Sequence, residues 1–141
     1  GSMGYGLPAA VAAKLRHPGR EVICLAGDGC FQMTMQEFGT AAQYGAGLIL
    51  LVCDNGSYGT IRMHQERHYP GRVTATDIVN PDFAALARAY GAHAETVRAT
   101  GDFAPALARA REAGGLALLH LKTIREAITP TARLSELGRG S

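Results

Sequence analysis

The chain has no tryptophan and only three cysteines, Cys24, Cys30 and Cys53, none in a Cys-x-x-Cys pair. That spacing argues against a zinc ribbon or a disulfide framework and fits a reducing compartment, so the expected location is cytoplasmic. Cys24 and Cys53 fall inside apolar runs and read as small buried hydrophobes. No run of about 18 apolar residues is present and no basic-then-apolar leader opens the chain, so neither a spanning helix nor a membrane partner is expected. Concentrated charge of one sign is missing too. The 14 Lys and Arg and 12 Asp and Glu are dispersed, for a net +2; without a basic stripe, nucleic acid is not an expected partner. Internal repeats and low-complexity segments are absent.

What is present is enough for one globular domain: 141 residues, 47% of them hydrophobic. Apolar runs alternate with helical patterns throughout. A helix is expected over Leu7–Leu15, a strand over Glu21–Ala26, and a helix from about Met35 to Tyr44. Thr34 and Glu37 would form a capping box for that helix and Gly45 would stop it. Leu48–Cys53 is a continuous apolar run of the kind a parallel sheet buries on both faces. Tyr58–Val79, rich in Arg, His, Gln and Tyr, reads as a functional loop with a short helix at its start. A helix follows over Asp82–Tyr90, with Asn80 as its cap and Pro81 in its first turn. Then come a strand at His93–Val97, a helix at Asp102–Ala113 capped by Thr100, and a strand at Leu116–Thr123. The tail from Arg125 is expected to lie over a surface. Such alternation predicts an α/β fold, a doubly wound, mostly parallel sheet with helices on both faces. Open sheets of this kind usually hold more than four strands, so 1–141 is expected to be one domain of a larger protein.

Two polar residues stand out because each follows an apolar strand. Glu21–Ala26 runs into Gly27-Asp28-Gly29, and Leu48–Cys53 runs into Asp54-Asn55-Gly56. Asp28 and Asn55 are 27 positions apart, enough for a βαβ unit, which brings both to the carboxyl edge of the sheet where such folds bind ligands. A carboxylate and an amide oxygen flanked by glycines suit a magnesium–phosphate site.

These residues resemble the diphosphate-binding C-terminal domain of thiamine-diphosphate-dependent enzymes, above all the acetolactate-synthase-like branch. Gly27-Asp28-Gly29, 25 intervening residues and Asn55 follow its central motif. Gly4-Tyr5-Gly6-Leu7-Pro8 matches its opening segment. Asn80-Pro81-Asp82-Phe83 and Ala127-Ile128-Thr129-Pro130 match later ones. The resemblance implies thiamine diphosphate and Mg²⁺ as cofactors, with Asp28, Asn55 and the Ser57 carbonyl as metal ligands. It places Gly27, Gly29, Cys30, Tyr58 and Gly59 around the diphosphate and makes Met3 an apolar wedge under the bent cofactor. The cofactor would act on a 2-keto acid, accepting electrons as CO₂ leaves. The activating glutamate is expected from a pyrimidine-binding domain of the same or a neighbouring subunit, so no catalytic residue is assigned in this chain. The isolated chain is expected to be inactive, within a three-domain homodimer or homotetramer. FAD occurs in a middle domain of some synthases, but nothing in this chain supports it. Benzoylformate- and oxalyl-CoA-decarboxylase-like activities stay open.

Several residues have plainer readings. Gly-Asp-Gly alone is an ordinary turn, and Asp54 reads as a strand-end carboxylate. His64 and His68 lie in the loop expected to face substrate. His64 stands where biosynthetic synthases tend to carry tryptophan. His93 and His120 read as structural, His17 as a turn residue, and Arg88, Arg109 and Arg111 as a solvated helix face. A different class remains as the alternative: a receiver-like phosphoacceptor domain, with Asp28 and Asp54 at strand ends and Lys122 on a late strand. Against it stand the glycines around Asp28, the Asn55 amide and the opening segment.

Overall fold

The computed structural model describes residues 1–127, 129 and 132–137. Four strands form one sheet: β1 Ile23–Gly27, β2 Ile49–Asp54, β3 His93–Val97 and β4 Ala117–Lys122. All neighbours are parallel, in the order β1-β2-β4-β3. Six α-helices accompany them among the described residues: α1 Gly6–Arg16, α2 Asp28–Thr34, α3 Glu37–Gln43, α4 Gly59–His68, α5 Phe83–Ala89 and α6 Thr100–Glu112. The expected α/β architecture is the one found.

Side-chain alternation along the strands divides the core in two. Cys24, Ala26, Leu50, Val52 and Leu118 pack against Leu7 and Val11 of α1, Phe31 of α2, Phe38 of α3 and Phe83 of α5. Ile49, Leu51, Ala117 and Leu119 face the other way, onto Ala106 and Ala110 of α6. Handedness accounts for the split. The chain moves across the sheet from β1 to β2 and on past β4's place to β3, then steps back to β4. Right-handed crossovers put helices of forward steps on one face and the helix of the backward step on the other. Because α6 covers β2, β3 and β4 only, Ile23 and Leu25 on β1 remain exposed on that side.

Three helix starts differ from expectation. The helix expected from Met35 has a forerunner, α2, that begins at Asp28 itself. Met35 and Gln36 keep right-handed helical dihedrals between α2 and α3, so no extended N-cap exists there for a capping box. Thr34 instead closes α2 and donates from Oγ1 to the Gly4 carbonyl at 2.8 Å, docking the glycine-rich opening segment onto the end of that helix. The cap of α5 is Asp82, whose Oδ1 accepts from the Ala85 amide at 3.0 Å, because the Asn80 side chain is engaged elsewhere. Ala99 takes the extended N-cap position of α6, and Thr100 is already helical. Among the described residues of the tail, Ala127 bridges to Arg133 and Leu134 is buried. Ile128 and Pro130 of the late motif fall outside the described residues.

Candidate cofactor site

Three strands deliver their ends to one edge. Asp28 follows β1, Asp54 ends β2 and Lys122 ends β4, and the register sets Asp54 directly beside Lys122 and Val52 beside His120. With a period of two, Asp28, Asp54, His120 and Lys122 share the face on which α2 and α5 pack. Both carboxylates are buried, so every acceptor direction matters.

Asp28 Oδ1 accepts from the Gly29 amide at 2.9 Å. Its Oδ2 accepts from the Gly56 amide at 2.9 Å and from Asn80 Nδ2 at 2.7 Å. Three of roughly four carboxylate acceptor directions are thus filled, leaving one on Oδ1. Asp54 differs. Its Oδ1 accepts from the Gly56 amide at 3.0 Å and Asn80 Nδ2 at 2.6 Å. Its Oδ2 accepts from His120 Nε2 at 2.7 Å and Lys122 Nζ at 2.5 Å. Four donors use all of its roughly four directions. Burial alone would push the Asp54 carboxyl up, but hydrogen bonds from Lys122, His120 and Asn80 outweigh it and hold the group well below the usual carboxylate range. Since a carboxylate only accepts, His120 carries its proton on Nε2, and its buried Nδ1 has no partner among the described residues.

Beyond Asp54 the chain turns sharply. Asn55 Oδ1 accepts from the Ser57 amide at 2.9 Å, an Asx turn, and Gly56 has φ +64°, which glycine adopts without penalty. Ser57 is buried, donates from Oγ to the Thr76 carbonyl at 2.9 Å, and accepts from the Gly59 amide at 2.9 Å. The Tyr58 ring lies against Gly29 so closely that a Cβ there would meet it at 2.6 Å. Every residue that the motif assigned to the cofactor, from Met3 through Gly27, Asp28, Gly29 and Cys30 to Asn55, Ser57, Tyr58 and Gly59, lines one cavity of about 740 Å³. Ile61, Ile124 and Arg125 are among its other lining residues, with Arg125 donating to the Gly56 carbonyl at 2.8 Å and to Asp77.

The first 121 residues match the family described as thiamine pyrophosphate enzyme, C-terminal TPP binding domain. The chain belongs to that family. This TPP-binding domain is 43% identical to an acetolactate synthase of Arthrospira platensis over 128 residues, 89% of the chain and 22% of that relative. It is 35% identical to the acetolactate synthase isozyme 2 large subunit of Escherichia coli strain K12, over 97% of the chain and 26% of the relative. It therefore spans about a fifth to a quarter of the length of these curated relatives. Among solved structures it resembles the Rhodococcus jostii RHA1 thiamine diphosphate-dependent 4-hydroxybenzoylformate decarboxylase, with TM-score 0.80 and 34% identity over 86% of the chain and 23% of that protein. Family membership leaves the phosphoacceptor alternative without support.

The sequence reading did not find the roles of Asn80, Lys122 and Arg125 in the TPP-binding domain. Asn80 bridges the two carboxylates and is itself oriented by Gln32 Nε2, which donates to its Oδ1 at 2.6 Å. A parallel register between β2 and β4 was the one signal that could have paired Lys122 with Asp54. His64 and His68 stack on α4 with ring centroids 6.1 Å apart and do not line the cavity. Arg109 and Arg111, expected to be simply solvated, each grip a carboxylate: Glu95 and Glu21.

Proposed function

We propose that this domain holds the diphosphate of thiamine diphosphate through Mg²⁺, as the C-terminal part of a three-domain 2-keto acid decarboxylase or carboligase of the acetolactate synthase type. The observation that carries the reading is the convergence of all nine motif residues, drawn from three separate stretches of chain, on one cavity. The donor set fits the metal: Asp28 carboxylate, Asn55 amide oxygen and Ser57 carbonyl are all hard oxygens. Among the described residues no three His, Cys, Asp or Glu gather into a self-sufficient cage, and a hydrated, phosphate-bound Mg²⁺ does not need one. Asp28, with an acceptor direction to spare, is the ligand; Asp54, saturated by four donors, is not.

The chain's own contribution is binding and orientation. The Cys30 amide can donate to an anion, while Tyr58, whose ring packs on Gly29, and Gly59 line the same cavity. Met3, partly exposed at the cavity, supplies a polarizable apolar contact. The bound cofactor would supply the electron sink for decarboxylation. The activating glutamate comes from a pyrimidine-binding domain in an oligomeric, cytoplasmic enzyme, so the isolated chain binds without turnover.

The test is a calorimetric titration of thiamine diphosphate into the chain, with Mg²⁺ or with EDTA, alone and with a pyrimidine-binding domain of the family supplied. Binding that needs Mg²⁺ and disappears in Asp28→Ala is the expected result. Absence of binding in both settings would overturn the reading.

A further inference from the structure

A diphosphate site should not tolerate a second carboxylate beside its metal ligand, yet Asp54 shares two hydrogen-bond donors with Asp28. The Gly56 amide and Asn80 Nδ2 each contact both side chains, at 2.6 to 3.0 Å. Among the described residues, one lysine or arginine reaches this buried pair: Lys122 Nζ, 2.5 Å from Asp54 Oδ2. Its neighbour His120 is packed edge-on against Phe83, centroids 5.0 Å apart, and fully buried.

We infer that Lys122 is a charge-compensating positioning residue, which cancels Asp54 so that Asp54 can fix the Asn55–Gly56 turn and the Asp28 side chain without repelling the phosphates. Asp54 holds the Gly56 amide and Asn80, and those two groups hold Asp28 Oδ2. An uncharged residue at position 54 could not accept from all four donors, so the carboxylate is retained and its charge is neutralised in place. The geometry gives this compensation a signature. Removing Lys122 alone leaves a buried anion close to the metal ligand. Replacing Asp54 by Asn alone turns an amide N–H₂ toward Lys122 or Asn80. With both changes the lysine conflict is gone, and His120 can shift its proton to the orphan Nδ1 and accept at Nε2 from the amide introduced at position 54.

The inference rests on the proposed Mg²⁺–diphosphate role, and one titration separates the two. Wild type, Lys122→Met, Asp54→Asn and the double variant are titrated with Mg²⁺ and thiamine diphosphate, the pyrimidine-binding domain being supplied, and their thermal unfolding is followed by circular dichroism. Lys122→Met should bind about tenfold more weakly, since one uncompensated buried charge beside the metal ligand is enough to do so. The double variant should recover to within about threefold of wild type, a coupling that simple loss of packing does not produce. If Lys122→Met does not fold, the comparison of Asp54→Asn with the double variant decides: loss of the lysine should then improve the binding, and unchanged or weaker binding overturns the charge compensation. Failure of wild type to bind overturns the Mg²⁺–diphosphate role and this inference with it. Wild-type binding with an unaffected Lys122→Met, or with a double variant no better than Lys122→Met, overturns the charge compensation alone.

Discussion

Two ion pairs of similar length sit at opposite ends of the sheet. At the carboxyl edge Lys122 meets Asp54 at 2.5 Å, and at the amino edge Arg111 meets Glu21 at 2.7 Å in a two-pronged contact. Distance does not rank them. Glu21 is about half exposed, whereas the Asp54 side chain is 6% exposed and saturated by four donors. In water the charges of Glu21 and Arg111 are already well solvated, so pairing them adds little. Away from water, Asp54 depends on every one of its partners, and removing any leaves a group with nowhere else to turn. One edge of the sheet is therefore chemically committed and the other is free to vary.

The largest effect expected from that contrast belongs to Asp54→Ala, which leaves the buried His120 Nε2 without an acceptor, takes one of two acceptors from Asn80 and frees Lys122 to solvent, and should destabilise by about 3 kcal/mol in urea unfolding. Its pH dependence has a definite sign. The native carboxyl titrates below the about 3.9 of an unfolded aspartate. Its stabilisation is thus complete above that value and drains away as pH falls toward the native one. The stability gap between wild type and Asp54→Ala should narrow below about pH 4; a gap that widened in acid would contradict the network. Next comes Asn80→Ala, which leaves two buried carboxylates short of a shared donor and should cost about 1–3 kcal/mol. Asp82→Ala removes the single side-chain cap of α5 and should cost about 1 kcal/mol by the same measurement. At the far end of the scale, Glu21→Gln should leave the unfolding midpoint where it was. A clear loss there would erase the distinction between the two edges.

The sheet was legible because its strands are short apolar runs bounded by glycines, and the site because Gly27-Asp28-Gly29 and Asn55 are local motifs at a telling separation. Errors gathered wherever a local signal competed with a distant one. Asn80 before Pro81 looks like a helix cap, but two buried carboxylates from elsewhere in the chain claim its amide. Thr34 and Glu37 have capping-box spacing, yet the chain is already helical ahead of them. Lys122 could not be assigned from its own neighbourhood, since its partner lies 68 positions away and only the β2–β4 register joins them. The lone position of α6 on its face likewise follows from strand order, which periodicity does not carry.

The Lys122–Asp54 contact also bears on how this site can drift over evolutionary time. Positions 54 and 122 behave as one character written in two places, so lineages should hold Asp with Lys or a neutral residue with a neutral one, and mixed combinations should be rare. His120 eases the passage between those states: with a vacant ring nitrogen it can reverse the direction of its hydrogen bond when the charge pair is lost. An unsatisfied atom that looks like an imperfection of packing is then the slack that lets the pair be exchanged without dismantling the site.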